Sequence, residues 1–460
     1  MTTTPYPPAA VPLPAVETNA PHVRRSRGRI GLIVGTSVGA GIVTALGLTL
    51  GVFDGASEHV ITGVALLSFA FGWLLLATLT GRFTEQPQRW AFVPAAVTAG
   101  TGAALLMFAP GDSTIAALGW IWPAALLALA AWTAVKARDH LRSWSRRAII
   151  YPVTVVMALA AIGGGIETAV AAAPAMPAQG HLVDVGGHRL YLECAGTGTP
   201  TVVLANGFSE HTPSWAWITP TISQTTQVCV YDRAGQGWSD PSSSPQDGNQ
   251  VADDLHTLLD NAGIPGPYLL AGHSTGGVYS LIFAARYPAD VAGMVLLDSA
   301  TPEQFTALPD YSGAYALSRR ITALFPPLAR LGMARLFLGN GFTDLPPTAR
   351  DQEQAFASTA HELNGQRDEW SQLPSAFEQA KALHDLGTKP LIVVTAGLEQ
   401  QPGWFGAQDK LAALSGNTAH RTIADATHAA LLDNPTFAAF ANAAILDVLT
   451  AARTGAALRP

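Results

Sequence analysis

One serine in the chain carries the pattern of a catalytic nucleophile. Ser274 lies in the segment Gly272-His-Ser-Thr-Gly276, a G-x-S-x-G pattern that directly follows a strand-like run beginning at Tyr268. Residues Val278 to Arg286 behind it read as a buried helix. A strand that turns tightly into a helix needs small residues around the turn, and the turn lifts one hydroxyl clear of the sheet. The context predicts that Ser274 is a nucleophile; an ordinary serine in a glycine-rich turn is the competing interpretation.

A serine hydroxyl is a weak nucleophile at neutral pH, so it needs a neighbouring base and an acid that orients the base. His428 is the best candidate base because it follows the last predicted strand, in a loop that can reach the serine. The other histidines fit this role less well. We expect His273 to pack inside the turn, His420 to begin a strand at the wrong end, and His361 and His384 to lie at the surface.

The elements that would position these residues alternate between strands and helices from residue 181 onward. Strand patterns occur at 182–185, 189–194, 201–205, 227–231, 269–270, 292–297, 389–394 and 420–424. Helix patterns occur at 252–262, 278–286, 405–415 and 435–452, and residues 302–386 are mostly helical. Such alternation predicts an α/β domain with a mainly parallel sheet that helices cover on both faces.

Four motifs in this half occur in the order that is typical of the α/β-hydrolase family. They are Asn206-Gly-Phe208 after the third strand, Asp232-Arg-Ala-Gly-Gln-Gly-Trp-Ser-Asp240 after the fourth, Gly272-His-Ser-Thr-Gly276 after the fifth, and His428 after the last. Residues 181–455 resemble this family on those motifs. The resemblance implies the α/β-hydrolase fold, an eight-stranded, mostly parallel sheet with a helical lid.

The lid would be the helical segment at about 302–386, between the sixth and seventh strands, above the strand ends where ligands bind in such sheets. The resemblance also implies hydrolysis of an ester or amide bond through an acyl-enzyme, with no metal or organic cofactor. The Phe, Leu and Trp residues of the lid favour a small-molecule substrate that is acyl-bearing or lipid-like.

The acid is where this sequence departs from the family. The family most often has an Asp shortly after the seventh strand, where this chain has Glu399 and Gln400. The fold also tolerates an acid after the sixth strand, and Asp298 occupies that place. We favour Asp298 with Glu399 as the alternative, and Asp409 and Asp425 less so. A turn or helix-capping role is the competing interpretation of Asp298.

The oxyanion hole needs two backbone N–H groups that point at the developing negative charge. One should be the amide of Thr275, at a helix N-terminus where the dipole helps. By resemblance the other is the amide of Phe208. This chain has Asn206-Gly207 where the family usually has His-Gly, but the donor is backbone, so the hole should survive. We interpret the segment Asp232 to Gly237 as a structural turn.

The first part of the chain has the composition of a membrane domain. The whole chain is 48% hydrophobic and only 13% charged. Each of five successive apolar runs is near the ~20 residues that cross a bilayer as a helix. The runs are 30–53, 60–80, 90–109, 115–135 and 149–171. This pattern predicts an all-α domain of five transmembrane helices over 30–173. A disordered, Pro-rich arm that ends in arginines (1–29) precedes it, and a linker (174–180) follows.

Charge in the loops predicts the orientation. The arm and the loops after the second and fourth runs contain eleven Lys and Arg residues, whereas the other two loops contain none and carry Asp54, Glu58 and Asp112. The positive-inside rule then gives a multi-pass protein of the cell membrane with a cytoplasmic N-terminus and residues beyond about 172 outside. Glu167 lies near the outer end of the fifth run and is either functional or interfacial.

Other functions are less well supported. A net charge of −7 without a basic stripe gives no case for nucleic acid. No series of intramembrane charges indicates a transporter. A non-catalytic, hydrolase-like domain that binds a ligand and signals through the helices remains the alternative. Cys194 and Cys229 fall on strands that are neighbours in the family's usual order, and both a disulfide and a reduced buried pair stay open.

Overall fold

A computed structural model of the chain describes residues 1–2, 29–141, 144–172, 178–338 and 341–459. Most of the predicted arm (1–29) and part of the predicted linker (174–180) lie outside these residues. The described part divides into N-terminal helices up to residue 172 and an α/β domain from residue 178 onward.

The α/β domain is built on one eight-stranded sheet. Its strands are β1 (His181–Asp184), β2 (Arg189–Ala195), β3 (Val202–Ala205), β4 (Val228–Tyr231), β5 (Tyr268–His273), β6 (Val291–Leu297), β7 (Leu391–Ala396) and β8 (Thr418–Ile423). They lie in the order β1-β2-β4-β3-β5-β6-β7-β8. Only β1 and β2 run antiparallel to their neighbours. The predicted mostly parallel sheet is therefore confirmed, and its antiparallel pair β1 and β2 forms an N-terminal hairpin.

The central strands are covered on both faces, which explains why β3 to β7 are nearly continuous apolar runs. On one face the sheet packs against Leu258, Phe283 and Phe377. On the other it packs against Trp215 and Ile445. The described helices that flank the sheet are α7 (Thr219–Ile222), α8 (Gly248–Asn261), α9 (Thr275–Arg286), α16 (Trp404–Ala412), α17 (Ala430–Asp433) and α18 (Pro435–Thr454).

The segment between β6 and β7 is helical, as predicted, and we call it the lid. Its described helices are α10 (Gln304–Ala307), α11 (Tyr311–Thr322), α12 (Phe325–Arg330), α13 (Ala334–Leu338), α14 (Pro347–Ala357) and α15 (Ala360–Ala380). The long helix α15 packs on α8 and α9, so the lid covers the carboxyl ends of the central strands.

The N-terminal helices are α1 (Arg29–Gly47, continued by a π-helical turn, Leu48–Val52), α2 (Glu58–Phe83), α3 (Phe92–Phe108), α4 (Asp112–Leu118), α5 (Trp122–His140) and α6 (Trp144–Ala171). Four candidate spans are single helices, namely Ile30–Val52, Glu58–Phe83, Arg89–Phe108 and Ile149–Ala171. The fourth predicted span, 115–135, is instead a pair, α4 and α5, bent by 50°. With this pair counted as one span, the region has five candidate membrane passages.

The bend in the fourth span lies where the chain passes close to α6. Gly119 follows α4, and a Cβ there would lie 2.6 Å from the Thr168 hydroxyl of α6. Only glycine therefore fits at this position. Pro123 then stands in the first turn of α5, where its missing N–H is tolerated. A hydropathy pattern does not register either feature. α18 is also long and apolar enough to be a candidate span, although less apolar than the N-terminal ones, but it packs on the sheet.

Cys194 and Cys229 face each other in the antiparallel register of β2 and β4 and form a disulfide. This resolves the pairing that the sequence left open. The bond closes a loop over a sequence separation of 35 residues. Cross-links of that span are worth about 3–4 kcal/mol by the chain-entropy model.

We therefore expect the double variant Cys194→Ala/Cys229→Ala to have a lower Tm than the wild-type protein in detergent. A thiol-alkylating reagent should label the denatured wild-type protein at two sites after reduction and at none before. Labelling without reduction would contradict the disulfide.

Candidate active site

Ser274 is held in a strained turn between β5 and α9. Its backbone has φ 53° and ψ −123°, a conformation that non-glycine residues rarely adopt. The flanking glycines make this possible. A Cβ on Gly276 would lie 2.6 Å from the carbonyl oxygen of Asn206, and a Cβ on Gly272 would meet the backbone of Gly276 at 2.5–2.6 Å. The turn therefore packs directly against the end of β3 and leaves Ser274 partly exposed above the sheet.

Asp298 and His428 meet beside this turn. Asp298 follows β6 and is fully buried, and its Oδ2 lies 2.6 Å from His428 Nδ1. An ionised carboxylate can only accept, so Nδ1 carries the hydrogen of this bond and Nε2 of the neutral ring is left to accept a proton. The His428 side chain is 42% exposed, as a group that exchanges protons with a substrate requires.

Three further donors hold the Asp298 carboxylate. They are the Ala396 amide at 3.2 Å, Trp404 Nε1 at 2.8 Å and Gln400 Nε2 at 3.1 Å. Burial alone would raise the pKa of Asp298, but the hydrogen bond and the charge of His428 outweigh burial and hold it below the usual value. The acid therefore stays ionised at neutral pH.

The alternative acid, Glu399, lies on an exposed turn after β7 with φ 63°, and the structure does not bring it to His428. Its neighbour Gln400 donates to Asp298 instead. The position where the family most often has its acid thus supplies an amide that stabilises the carboxylate from β6.

His428 is fixed next to the turn through His273. The carbonyl of His428 lies 3.1 Å from His273 Nε2, and the two rings are 4.4 Å apart. Among the described residues no hydrogen bond joins Ser274 Oγ to His428 Nε2. Such bonds are often long without substrate and shorten when the substrate binds.

The predicted oxyanion-hole amides are both available. Within the described residues, neither Phe208 N–H nor Thr275 N–H donates a hydrogen bond to the protein. The preceding amide, Gly207 N–H, instead donates to Glu210 Oε2 at 2.6 Å. The Phe208 ring packs edge-on against Trp370 of the lid, with centroids 5.1 Å apart.

The turn after β4 holds in place the loop after β3 that carries Phe208, which we call the oxyanion loop. We predicted only a structural role for this turn, and its contribution to the site is more direct. Arg233 donates to the carbonyls of Asn206 and Gly207. Asp232 is buried and accepts from the amide and the hydroxyl of Thr212 at 2.8 and 2.9 Å. Burial raises the pKa of Asp232 to about 6.

Glu210 and His273 form a buried pair that the sequence did not reveal. Glu210 Oε1 lies 2.5 Å from His273 Nδ1, and the same carboxylate binds the Gly207 amide. Burial opposes both charges. The pKa of Glu210 is nevertheless lowered by the charge of His273, and the pKa of His273 is raised by Glu210. The pair connects the oxyanion loop to the strained turn at Ser274.

Three carboxylates of the lid also reach the site: two bind His211 in the loop after β3, and the third binds Thr275 and Arg233. His211 Nδ1 lies 2.6 Å from Glu353 of α14, and its Nε2 lies 2.7 Å from Glu362 of α15. Glu369 of α15 accepts from the hydroxyl of Thr275 at 3.0 Å and pairs with Arg233 at 2.8 Å. The lid is thus joined through buried charges to both sides of the predicted oxyanion hole.

These contacts predict a pH dependence of stability. Burial would lower the pKa of His211, but Glu362 and Glu353 raise it well above 6.5. Because the folded-state pKa is raised, this stabilisation is complete below about pH 6.5 and is lost as the pH rises through the folded-state value. The Tm of the full-length protein in detergent should therefore fall as the pH rises from about 6.5 through the folded-state pKa of His211.

The variant His211→Gln should have a lower Tm at pH 6, because it leaves two buried carboxylates without their cation. Such a change lowers the free energy of unfolding by about 3–5 kcal/mol. The matched variant His384→Gln, at an exposed lid position, should behave as wild type. An unchanged Tm in His211→Gln would contradict the buried ion cluster.

Known proteins are similar to this part of the chain in sequence and in fold. Residues 200–435, which are 236 of the 460, match the family of the alpha/beta hydrolase fold. An uncharacterised protein of Schizosaccharomyces pombe is 33% identical over 223 residues, which cover 46% of this chain and 39% of that protein. A cis-3-alkyl-4-alkyloxetan-2-one decarboxylase of Shewanella oneidensis is 32% identical over 132 residues, which cover 27% of this chain and 40% of that enzyme.

The matched region thus spans about two fifths of the length of these relatives. Among solved structures, a thermophilic esterase from Thermogutta terrifontis is similar at 23% identity with a TM-score of 0.46, over 60% of this chain and 100% of that one. The family match extends from the strand before the oxyanion loop to the start of the last helix. The chain belongs to the α/β-hydrolase family.

Proposed function

We propose that this protein is a membrane-anchored serine hydrolase that cleaves ester or amide bonds through an acyl-enzyme. The observation that carries the proposal is the 2.6 Å contact between Asp298 and His428 next to the strained turn at Ser274. Two unused amides, those of Phe208 and Thr275, lie in the segments that flank this serine.

In the proposed reaction, Ser274 Oγ attacks the substrate carbonyl carbon while His428 Nε2 takes its proton. The carbonyl oxygen becomes an oxyanion that accepts from the Phe208 and Thr275 amides. His428 then returns the proton to the leaving alcohol or amine as the acyl-enzyme forms. Water repeats the sequence, with His428 as base, and releases the acid. Asp298 orients His428 and stabilises its charged form.

We propose the domain organisation that the sequence predicts. The arm (1–29) precedes the membrane anchor (30–173), and the linker (174–180) leads to the hydrolase domain (181–455). We place this domain outside the cytoplasm. Two features support the orientation: the basic loops are cytoplasmic by the positive-inside rule, and a disulfide suits an oxidising compartment.

A second function is a hydrolase-like domain that binds a ligand without turnover. The observation in its favour is that, within the described residues, Ser274 Oγ makes no hydrogen bond to His428. Substitution kinetics separate the two functions, because only the enzyme depends on Asp298 for a rate.

The paired variants Asp298→Asn and Glu399→Gln test the acid. We expect Asp298→Asn to lower kcat for a soluble ester by about 10⁴-fold, because the amide cannot hold His428 with its proton on Nδ1. Glu399→Gln should retain wild-type activity, since Glu399 lies on the exposed turn. Full activity in Asp298→Asn, or a large loss in Glu399→Gln, would overturn the assignment.

Ser274→Ala should reduce the same activity by about 10⁶-fold. Ser415→Ala is a control at a buried serine before β8, whose hydroxyl bonds the Lys389 carbonyl instead. If neither the wild-type protein nor Ser274→Ala hydrolyses any ester, thioester or amide in a broad panel, that result would favour the ligand-binding function.

A reporter fused after residue 180 tests the orientation. Alkaline phosphatase, which needs an oxidising compartment, should be active there and inactive when fused after residue 85, in the loop that carries Arg82 and Arg89. The reverse pattern would place the hydrolase domain in the cytoplasm.

A further inference from the structure

The lid touches the membrane anchor as well as the active site. α12 packs on α2 and α6, and α11 packs on the π-helical turn Leu48–Val52 at the end of α1. The lid therefore lies against the ends of three candidate membrane helices. These are the ends nearest the hydrolase domain.

The deepest contact is the turn between α12 and α13. A Cβ on Gly163 of α6 would overlap the Leu331 carbonyl oxygen, and a Cβ on Gly164 would lie 3.1 Å from the Arg330 carbonyl oxygen. Gly163 is eight residues before the last residue of α6, Ala171, which is about 12 Å along the helix. The span Ile149–Ala171 is about as long as the ~30 Å hydrocarbon layer is thick. The turn thus contacts α6 about 12 Å before the end of a candidate span that is long enough to cross the whole layer.

Backbone within a hydrocarbon layer must have its polar groups bonded within the protein. The amides of the turn meet this requirement. The Leu331 and Met333 amides both donate to the Leu328 carbonyl at 3.1 Å, and the Gly332 amide donates to the Ala329 carbonyl at 2.8 Å.

Charges on this side of the lid are paired with the anchor. Arg330 lies 3.0 Å from Glu58 and also bonds Asp112. Arg335 lies 2.6 Å from Glu167, the carboxylate that the sequence left as functional or interfacial. A charge near hydrocarbon is costly unless it has a partner. The pairing removes that cost for both arginines.

The same clusters reach α15. Asn364 donates to Glu58 at 2.7 Å, and His361 lies 3.7 Å from Asp112. His361 is therefore packed at the anchor, and our expectation of a surface position for it is wrong. α15 connects this interface to the active site, because Glu369 and Trp370 on it contact Thr275 and Phe208.

Several apolar side chains on this part of the lid are uncovered. Leu336 and Phe337 of α13 are 71% and 73% exposed, and Leu317 of α11 is 59% exposed. On α6, Ile162 and Ile166, which flank the Gly163–Gly164 contact, are also more than half exposed. The apolar lid surface (Leu317, Met333, Leu336 and Phe337) is thus attached to a helix whose own exposed face would contact lipid.

We infer that this apolar lid surface is inserted in the outer leaflet and that the enzyme takes acyl substrates that partition into the bilayer. The substrate class rests on the proposed serine-hydrolase function, whereas the insertion does not. Lipid is the occupant, rather than a second copy of the chain, because the surface adjoins a candidate span: Gly332, next to Met333, packs on Gly163 of α6.

Spin labelling tests the insertion without reference to activity. Both native cysteines are in the disulfide, so Leu336→Cys introduces a single reactive thiol. In proteoliposomes, a nitroxide at 336 should collide more with oxygen than with a water-soluble nickel chelate. A label at Ala382→Cys, an exposed position just past α15, should show the reverse. Nickel collisions at 336 equal to those at 382 would overturn the inference, as would low collisions with both reagents, which indicate a protein partner.

Ester selectivity tests the substrate class. In the double variant Leu336→Gln/Phe337→Gln, the ratio of activity on p-nitrophenyl palmitate in phosphatidylcholine liposomes to activity on p-nitrophenyl acetate should fall about tenfold, the effect of losing one buried apolar side chain. An unchanged ratio would overturn the substrate class. Activity that persists in Ser274→Ala would instead overturn the proposed function and leave the spin-label result standing. If the double variant does not fold, the same ratio measured in Phe337→Ser decides.

Discussion

The strained turn at Ser274 is the constraint on which the rest of the site depends. A non-glycine residue at φ 53° is unfavourable by about 1–3 kcal/mol and persists only when its surroundings require it. Here β5 and α9 are anchored on either side, and Gly276 fits against Asn206 with no room for a side chain. The same close approach brings the oxyanion loop to the serine, so the geometry of the proposed nucleophile and of its proposed oxyanion donors has a common cause.

Buried charge then links this turn to the lid and to the membrane anchor. Arg233, held by Glu369 of the lid, bonds the two carbonyls that precede Phe208. Arg330, at the other side of the lid, pairs with carboxylates of the anchor. Each of these charges has a partner, so burial does not leave it uncompensated. The lid therefore connects the N-terminal helices to the active site through paired charges.

Much of this site could be predicted because its signals are local. The spacing around Ser274, the strand before Phe208 and the loop of His428 are short patterns that the fold converts into neighbours. The choice between Asp298 and Glu399 needed coordinates, because both follow strands that end at the same edge of the sheet. The pairs of His211 with Glu353 and Glu362 left no signal, since their partners lie more than 100 residues apart in the chain. The bend between α4 and α5 was missed for a related reason: it lies where Gly119 passes close to Thr168.

Covalent labelling by a fluorophosphonate tests the central claim, that the pair of Asp298 and His428 activates Ser274, most directly. The intact protein should form one adduct, located by tandem mass spectrometry on Ser274, and the labelling rate should drop sharply in His428→Ala and Asp298→Asn. An adduct on another residue would contradict the account, as would no labelling under conditions that modify a control serine hydrolase.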